Sequence, residues 1–421
     1  MIRRLALIAD DLTGALDTSV QFLDNCISPY VLIDFSDLYT ADLSSYDCVV
    51  INTDSRHLGA EEAGKRVAEA VRCVRLAGFD TVYKKTDSVL RGNIGSELEA
   101  TLTAMESDCM VLAPAYPMQK RYTRQGKQYI GETLISETEF SKDPFDPVTT
   151  SFVPEIVARQ SNLPVINLHN GCWPKEQPKG PVILLYDAET DADLDGIAAL
   201  IDQHNVHCLA GCAGLAAHLP LQADDLIDVD AVAFPEQPLL VISGSKMSTS
   251  LRQIQEAQKS GFEQVELQDT DKNGVACGGQ NARDEILAMH RAGKDLVVCM
   301  SEEFRNRETE QMGSLDVADT LASLADSLLS AVHDLMLMII GGDTLLATLH
   351  AIGATAAEPI AEIVSGVVLI RVKSRHGSHL IISKSGGLGR QDALLTVRRF
   401  LREHSIEYGE KCRGLRYMRE E

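Results

Sequence analysis

Three stretches of the chain set carboxylates, cations and small hydroxyls directly after an apolar run. They are Asp10-Asp11 after LALIA, Thr53-Asp54-Ser55-Arg56 after VVIN, and Lys85-Thr86-Asp87-Ser88 after TVYK. Arg91, Gly92 and Asn93 lead on from the last of these into a helical pattern. Arginine and lysine fix a carboxylate, arginine through two parallel hydrogen bonds. Aspartate accepts hydrogen bonds from sugar hydroxyls and can take the proton of one. Such a set suits a small polyhydroxy acid. For Asp11 alone a plainer role stays open, as the cap of the helix that follows.

A different chemistry recurs in the second half. Three turns, Ser243-Gly244-Ser245, Gly341-Gly342-Asp343-Thr344 and Lys384-Ser385-Gly386-Gly387-Leu388-Gly389, each stand between an apolar run and a helical pattern. Glycine lets backbone amides approach phosphate oxygens, and the start of a helix favours the anion. One such turn is commonly just a tight connection. Three in one half point to a nucleotide, with Lys384 either facing a phosphate or simply solvated.

These residues need strands and helices to hold them. Apolar runs at Leu5–Ala9, Cys48–Asn52, Thr81–Lys85, Met110–Ala113, Val182–Tyr186 and Cys208–Ala210 read as strands. Amphipathic stretches at Leu16–Leu23 and Gly95–Met105 read as helices, and residues 114–154 as a long ordered excursion. The pattern predicts an α/β protein of two domains, each a mostly parallel sheet flanked by helices. The proline-bounded acidic segment at 219–238 places the boundary near residue 235, giving domains 1–235 and 236–421. An acidic, helical stretch lies between the first two glycine turns. In parallel sheets ligands bind at the carboxyl ends of strands, which is where all these groups fall.

Composition narrows the function classes. The formal net charge of −22, from 61 acidic and 39 basic side chains, argues against nucleic acid and anionic membranes as partners. Ten scattered cysteines with no C-x-x-C pair read as free thiols in a reducing compartment, and the metal-site expectation is none. Asp10 and Asp11 interrupt the first apolar run too early for a signal peptide or spanning helix, so the expected location is cytoplasmic. Walker, protein-kinase, nucleophile-elbow and G-x-G-x-x-G signatures are absent. KMSTS at 246–250 looks like an aminoacyl-tRNA synthetase loop, but the histidine-containing string RHGSH at 375–379 falls after it rather than before.

The blocks carrying these groups resemble the four-carbon acid sugar kinases. IADDLTGALDT at 8–18, KKTDSVLRGNIGSELEA at 84–100 and the stretch 113–148 are similar to the first-half blocks of that family. VISGSKMSTSLRQI, GGDTLLATLHAIG and KSGGLGRQD look like its nucleotide blocks. The chain departs from the family at Gln119-Lys120-Arg121, at Ser365-Gly366-Val367-Val368 and at Ser19. The resemblance implies an N-terminal sugar-acid domain and a C-terminal nucleotide domain. The implied reaction moves the γ-phosphate of ATP to the terminal hydroxyl of threonate, erythronate or a 3-oxo-tetronate. By motif, Asp11, Arg56, Lys85, Thr86, Asp87 and Ser88 would contact the acid, with Arg91 a further candidate from its place after the strand. By motif, Ser245, Gly341, Gly342, Asp343, Thr344, Gly386, Gly387 and Gly389 would contact ATP, with Ser243, Gly244 and Lys384 further candidates from the turns themselves. Asp10 or Asp11 would deprotonate the attacking hydroxyl, with Mg2+ carried in by ATP. The reading leaves room for a homodimer, and its rivals are a sugar-acid sensor and a nicotinamide-dependent dehydrogenase.

Overall fold

A computed structural model describes residues 2–25, 27–143, 145–169, 171–174, 180–222, 237–267, 280–301 and 314–403. The chain divides into two compact units, Met1–Ile227 and Asp228–Glu421. The boundary expected near residue 235 lies outside the described residues.

In the first unit the described strands are β1 (Leu5–Ala9), β2 (Tyr30–Leu32), β3 (Cys48–Asn52), β4 (Thr81–Lys85), β5 (Cys109–Ala113), β6 (Arg121–Arg124), β7 (Lys127–Ile130), β8 (Thr133–Leu134), β9 (Val165–Leu168), β10 (Val182–Tyr186) and β11 (Cys208–Gly211). Eight of them form a parallel sheet in the order β2-β3-β1-β4-β11-β5-β10-β9. All five residues of β1, β3, β4 and β10 are buried. A sheet covered on both faces requires continuous apolar runs of this kind. The register sets Ala9 beside Asn52 and Lys85, and Lys85 beside Gly211, so the next residues of each strand share one edge. The chain changes sides of the sheet between β3 and β4, which makes the β1/β4 edge a switch point.

Within the 114–154 excursion, β6, β7 and β8 make a separate antiparallel sheet. Gln128 buries its amide there, donating to Ser88 O at 3.1 Å and Pro114 O at 3.0 Å, which ties the hairpin to the end of β4. The first helix runs Leu12–Ser19, four residues earlier than its hydrophobic pattern suggested, and Val20–Asn25 continues as 3₁₀ turns. The cap at Asp11 decides that start.

The second unit adds β12 (Leu240–Ser243), β13 (Glu263–Leu267), β14 (Leu296–Met300), β15 (Leu337–Ile340), β16 (Ala356–Val364), β17 (Val367–Ser374) and β18 (Gly377–Lys384), ordered β13-β14-β12-β15-β18-β17-β16. The stretch expected to be only helical holds β13 and β14 as well, between and before its helices Gln280–Arg291 and Ser314–Ala331. Neighbours from β13 through β18 are parallel, whereas β16, β17 and β18 form an antiparallel meander. Ser365-Gly366 is the turn between β16 and β17, and Arg375-His376 the turn between β17 and β18. The histidine string is thus a hairpin tip, with His376 Nε2 2.8 Å from Asp326 Oδ1. No helix among the described residues is long and apolar enough to cross a membrane.

Ser243, Ile340 and Lys384 lie side by side in register, so the three glycine turns leave the sheet together. Gly341 caps the helix Gly342–Ala351 at φ 118° and ψ 132°, a conformation that a Cβ opposes. Gly341→Ala is expected to cost about 1–3 kcal/mol in chemical unfolding. Gly59→Ala is the control: φ is −64° with open space around the added methyl, and its effect should stay within about 0.5 kcal/mol. Equal costs at the two positions would refute the strain argument.

Candidate active site

The strand ends of the first unit converge on one guanidinium. After β1, Asp11 takes an extended conformation (φ −143°, ψ 156°) and caps the next helix, accepting from Gly14 N at 3.1 Å and Thr13 Oγ1 at 2.5 Å. After β3 the chain turns at Asp54, whose φ is 45°, and Ser55 N and Arg56 N both donate to Asp10 O. Asn93 holds this loop from the other side, its Nδ2 donating to the carbonyls of Ser55, Arg56 and Leu58 at 3.0, 3.2 and 2.8 Å. Arg56 is thereby aimed between the two aspartates: Nε donates to Asp10 Oδ2 at 2.7 Å and Nη2 to Asp11 Oδ1 at 2.6 Å. Asp87 Oδ1 stands 3.8 Å from the same Nη2.

Asp87 is fixed in turn. It accepts Arg91 Nε at 3.1 Å and Nη2 at 2.9 Å, a forked pair, together with the amides of Val89 and Arg91. Arg91 Nη1 reaches Asp143 at 3.3 Å, and its guanidinium lies over the Phe140 ring. Behind Asp10 sits a wholly buried pair, Lys84 Nζ and Glu97 Oε2 at 2.8 Å, with Ser55 Oγ donating to Glu97 Oε1 at 2.5 Å.

Burial pushes these carboxylates up, and the cations decide the outcome. Asp10 is buried, yet Arg56, Lys84 and Lys85 outweigh the desolvation and hold it below the usual carboxylate range. Asp87 is driven well below that range by Arg91, Arg56 and Lys85 against the same burial. Glu97 goes the other way: burial, with the Asp10 charge nearby, exceeds the pull of Lys84 and raises it.

Three polar groups at this edge are left over. Asp10 Oδ1 and Thr86 Oγ1 are buried without a hydrogen-bond partner. Lys85 Nζ has no hydrogen bond or ion pair among the described residues, although Lys85 is buried and its charge is felt at Asp10 and Asp87. The geometry thus brings Asp10, Asp11, Arg56, Lys85, Thr86, Asp87 and Arg91 together. Ser88 contributes its carbonyl to Gln128. Arg56 engages both aspartates through Nε and Nη2. The Lys84–Glu97 pair and the Asn93 clamp carry no motif of their own. Their only signal is charge and amide placed where the pattern demands burial.

In the second unit the turns after β12, β15 and β18 touch one another. A Cβ on Gly244 would collide with Thr344 Oγ1, one on Gly386 with Ser245 Oγ, and one on Gly341 would lie 3.6 Å from Ser245 N. Ser250 Oγ donates to Gly386 O at 2.7 Å, and Gln253 Nε2 to Arg390 O at 2.7 Å, fixing the last loop. Ser243 Oγ is buried with no partner. Glycines let these turns pack this closely beside the starts of the helices Ser248–Lys259 and Gly342–Ala351, an arrangement that suits phosphate groups. Lys384 corrects the solvated alternative. It is wholly buried at the end of β18, with Nζ donating only to Ser385 O at 2.7 Å. No cluster of three or more metal-ligating side chains occurs among the described residues.

Comparison with known proteins assigns names to the two halves. Residues 5–219 match the family described as "Sugar-binding N-terminal domain", and residues 240–394 that described as "Nucleotide-binding C-terminal domain". The chain is 30% identical to a D-threonate kinase of Bordetella bronchiseptica, over 95% of this chain and 98% of that one. It is 27% identical to a D-erythronate kinase of Heliobacterium modesticaldum, over 94% and 97%. A solved protein of Salmonella typhimurium shares the fold, with a TM-score of 0.73 at 20% identity over 94% of this chain and 99% of that one.

Lys384 yields a test by pH. Burial lowers its ammonium from 10.5 to about 7, with no charged neighbour to offset it. Between those values the unfolded chain holds a proton that the folded chain has released, so stability rises with pH across that window. Lys384→Met is therefore expected to raise the melting temperature by several degrees near pH 7. The gain should shrink steadily toward pH 10.5. A difference independent of pH would show that the ammonium is already compensated.

Proposed function

The chain belongs to the four-carbon acid sugar kinase family, and we propose that it transfers the γ-phosphoryl group of ATP to the C4 hydroxyl of threonate or erythronate. The first unit takes the sugar acid and the second the nucleotide. The observation that carries this reading is the pairing of a free, ionised carboxylate oxygen on Asp10 with the unpaired ammonium of Lys85 on one strand edge.

Each residue then has a separable task. Both oxygens of Asp11 are engaged, by the helix amide, Thr13 and Arg56, so Asp11 serves as the frame. Asp10 keeps one oxygen unshared and accepts the proton of the attacking hydroxyl. Its low basicity is no obstacle, since a loose phosphoryl-transfer transition state asks the base mainly to orient the nucleophile. Thr86 and Asp87 face the remaining hydroxyls, and Lys85 the substrate carboxylate. The glycine turns at 244, 341 and 386 cradle the phosphates. Buried Lys384 gains a proton and a counter-ion there when they arrive. Mg2+ carried in with ATP would supply positive charge that offsets the phosphates. The reaction is assigned to the cytoplasm, a compartment that suits the free cysteines of both units.

ADP release by the purified protein with ATP and Mg2+ should require D- or L-threonate, an erythronate or a 3-oxo-tetronate. Asp10→Asn is expected to lower kcat by about 10³-fold while leaving ADP binding intact. Silence across the whole panel would sink the kinase reading. Thermal stabilisation by an acid without ADP release would favour a sensor, and an NAD-linked absorbance change a dehydrogenase.

A further inference from the structure

Counting the charges at the β1/β4 edge isolates one more residue. Lys84 is paired with Glu97, Arg56 with Asp10 and Asp11, and Arg91 with Asp87 and Asp143. Asp10, Asp11, Asp87, Asp143 and Glu97 thus each have a cation, but two cations nearby form no ion pair among the described residues. One is Lys85. The other is Arg121, at the start of β6, which is only 7% exposed. Arg121 Nη1 reaches Gln119 O at 3.3 Å, while Nε is buried with no partner at all.

Arg121 and Lys85 stand on neighbouring strand ends. Lys85 pairs with Gly211, the next residue Cys212 donates its Sγ to Pro114 O and Ala115 O, and Tyr116 directly after them is bonded to Arg121 through both backbone groups. Both cations are also felt electrostatically at Asp87 and at the Cys212 thiol. Asp87 and Glu139 are the acidic groups facing Arg121, yet it forms an ion pair with neither. Asp87 is already paired with the Arg91 fork and two backbone amides. The placement of Arg121 is rigid: its N–H and C=O are both bonded to Tyr116, and Gln128 on the paired strand is locked to Ser88 and Pro114. Burying a guanidinium without an anion is costly, and structures hold such groups where a ligand supplies the anion.

We infer that Arg121 and Lys85 together anchor the carboxylate of the substrate, and that this pair, rather than Arg56, makes the site prefer an acid to a neutral polyol of the same length. The inference rests on the kinase reading above. Arg121 supplies directed N–H donors and Lys85 a point charge, a division that fits one planar carboxylate. A neutral tetritol would leave both charges buried and unanswered, so it should be strongly rejected.

The experiment measures kcat and KM for the preferred tetronate, for ATP and for the matching tetritol. Arg121→Gln is expected to raise the tetronate KM by about 30-fold or more, the loss typical of truncating one partner of a buried charge pair. The KM for ATP should not move, and kcat/KM on the tetritol should stay level or rise, so the preference for acid over polyol collapses. A tetronate KM within about threefold of wild type overturns the inference, as does an equal loss on acid and polyol, which would mark Arg121 as merely structural. If Arg121→Gln does not fold, Arg121→Lys keeps the charge and removes the fork. A fall of about tenfold in the acid-over-polyol ratio then supports the inference, and an unchanged ratio overturns it. Wild-type protein inactive on every tetronate is a separate outcome, and defeats the kinase reading itself.

Discussion

The guanidinium of Arg56 is the group on which the first unit's site depends. It binds Asp10 and Asp11 at 2.7 and 2.6 Å and lies within Coulombic reach of Asp87. Three aspartates gathered at one buried edge would otherwise repel one another, and burial would protonate at least one of them. With the cation between them, Asp10 stays ionised while one of its oxygens remains uncommitted. Arg56 owes its own position to backbone: two amides donate to Asp10 O, and Asn93 clamps three carbonyls of the loop. The Asp10 carboxylate and the cation that keeps it charged therefore arise from one piece of local geometry.

The second unit arranges its strand ends by the opposite means. The first unit uses opposed charges held by strand register, whereas glycines in the second let three turns pack against one another where strands end. Gly244, Gly341 and Gly386 sit where an added Cβ would meet a neighbouring turn or, at Gly341, an unfavourable φ. Among the described residues of this unit Lys384 is the one buried lysine or arginine, and burial alone lowers its ammonium. Both solutions stand on the same architectural fact, the side-by-side alignment of parallel strand ends.

Much of this was legible in the sequence because parallel strands announce themselves as short apolar runs. The residue after each run is then a site candidate, as at Asp10, Arg56, Lys85 and the three glycine turns. What escaped had no periodic signal. β2 has three residues, β9 is partly exposed, and β13 carries Glu and Gln within it, so none shows a continuous apolar run. The Lys84–Glu97 pair was illegible because charged residues are expected at surfaces, and only tertiary structure brings these two together 13 positions apart. Arg121 falls in the string Gln119-Lys120-Arg121, where the sequence departs from the family pattern. Its meaning appears only when the partners of the other cations are known. At Arg56 a residue type suited to an outside carboxylate is also matched to inside ones, a pairing that residue type alone does not reveal.

The strand order has a consequence for how the protein comes into being. β4 carries Lys85 to its edge, but its neighbour on one side is β11, and Thr86 N donates to Gly211 O at 2.8 Å. The sheet therefore cannot close around Lys85, Thr86 and Asp87 until residues 208–211 have been synthesised, long after β1, β3 and β4. At ordinary rates of elongation that delay is roughly ten seconds. During it the apolar flank of β4 stands open and the buried cations lack their final surroundings. Vectorial synthesis thus exposes this unit to misassociation for longer than its size suggests, a burden that non-local parallel pairing imposes on a nascent chain.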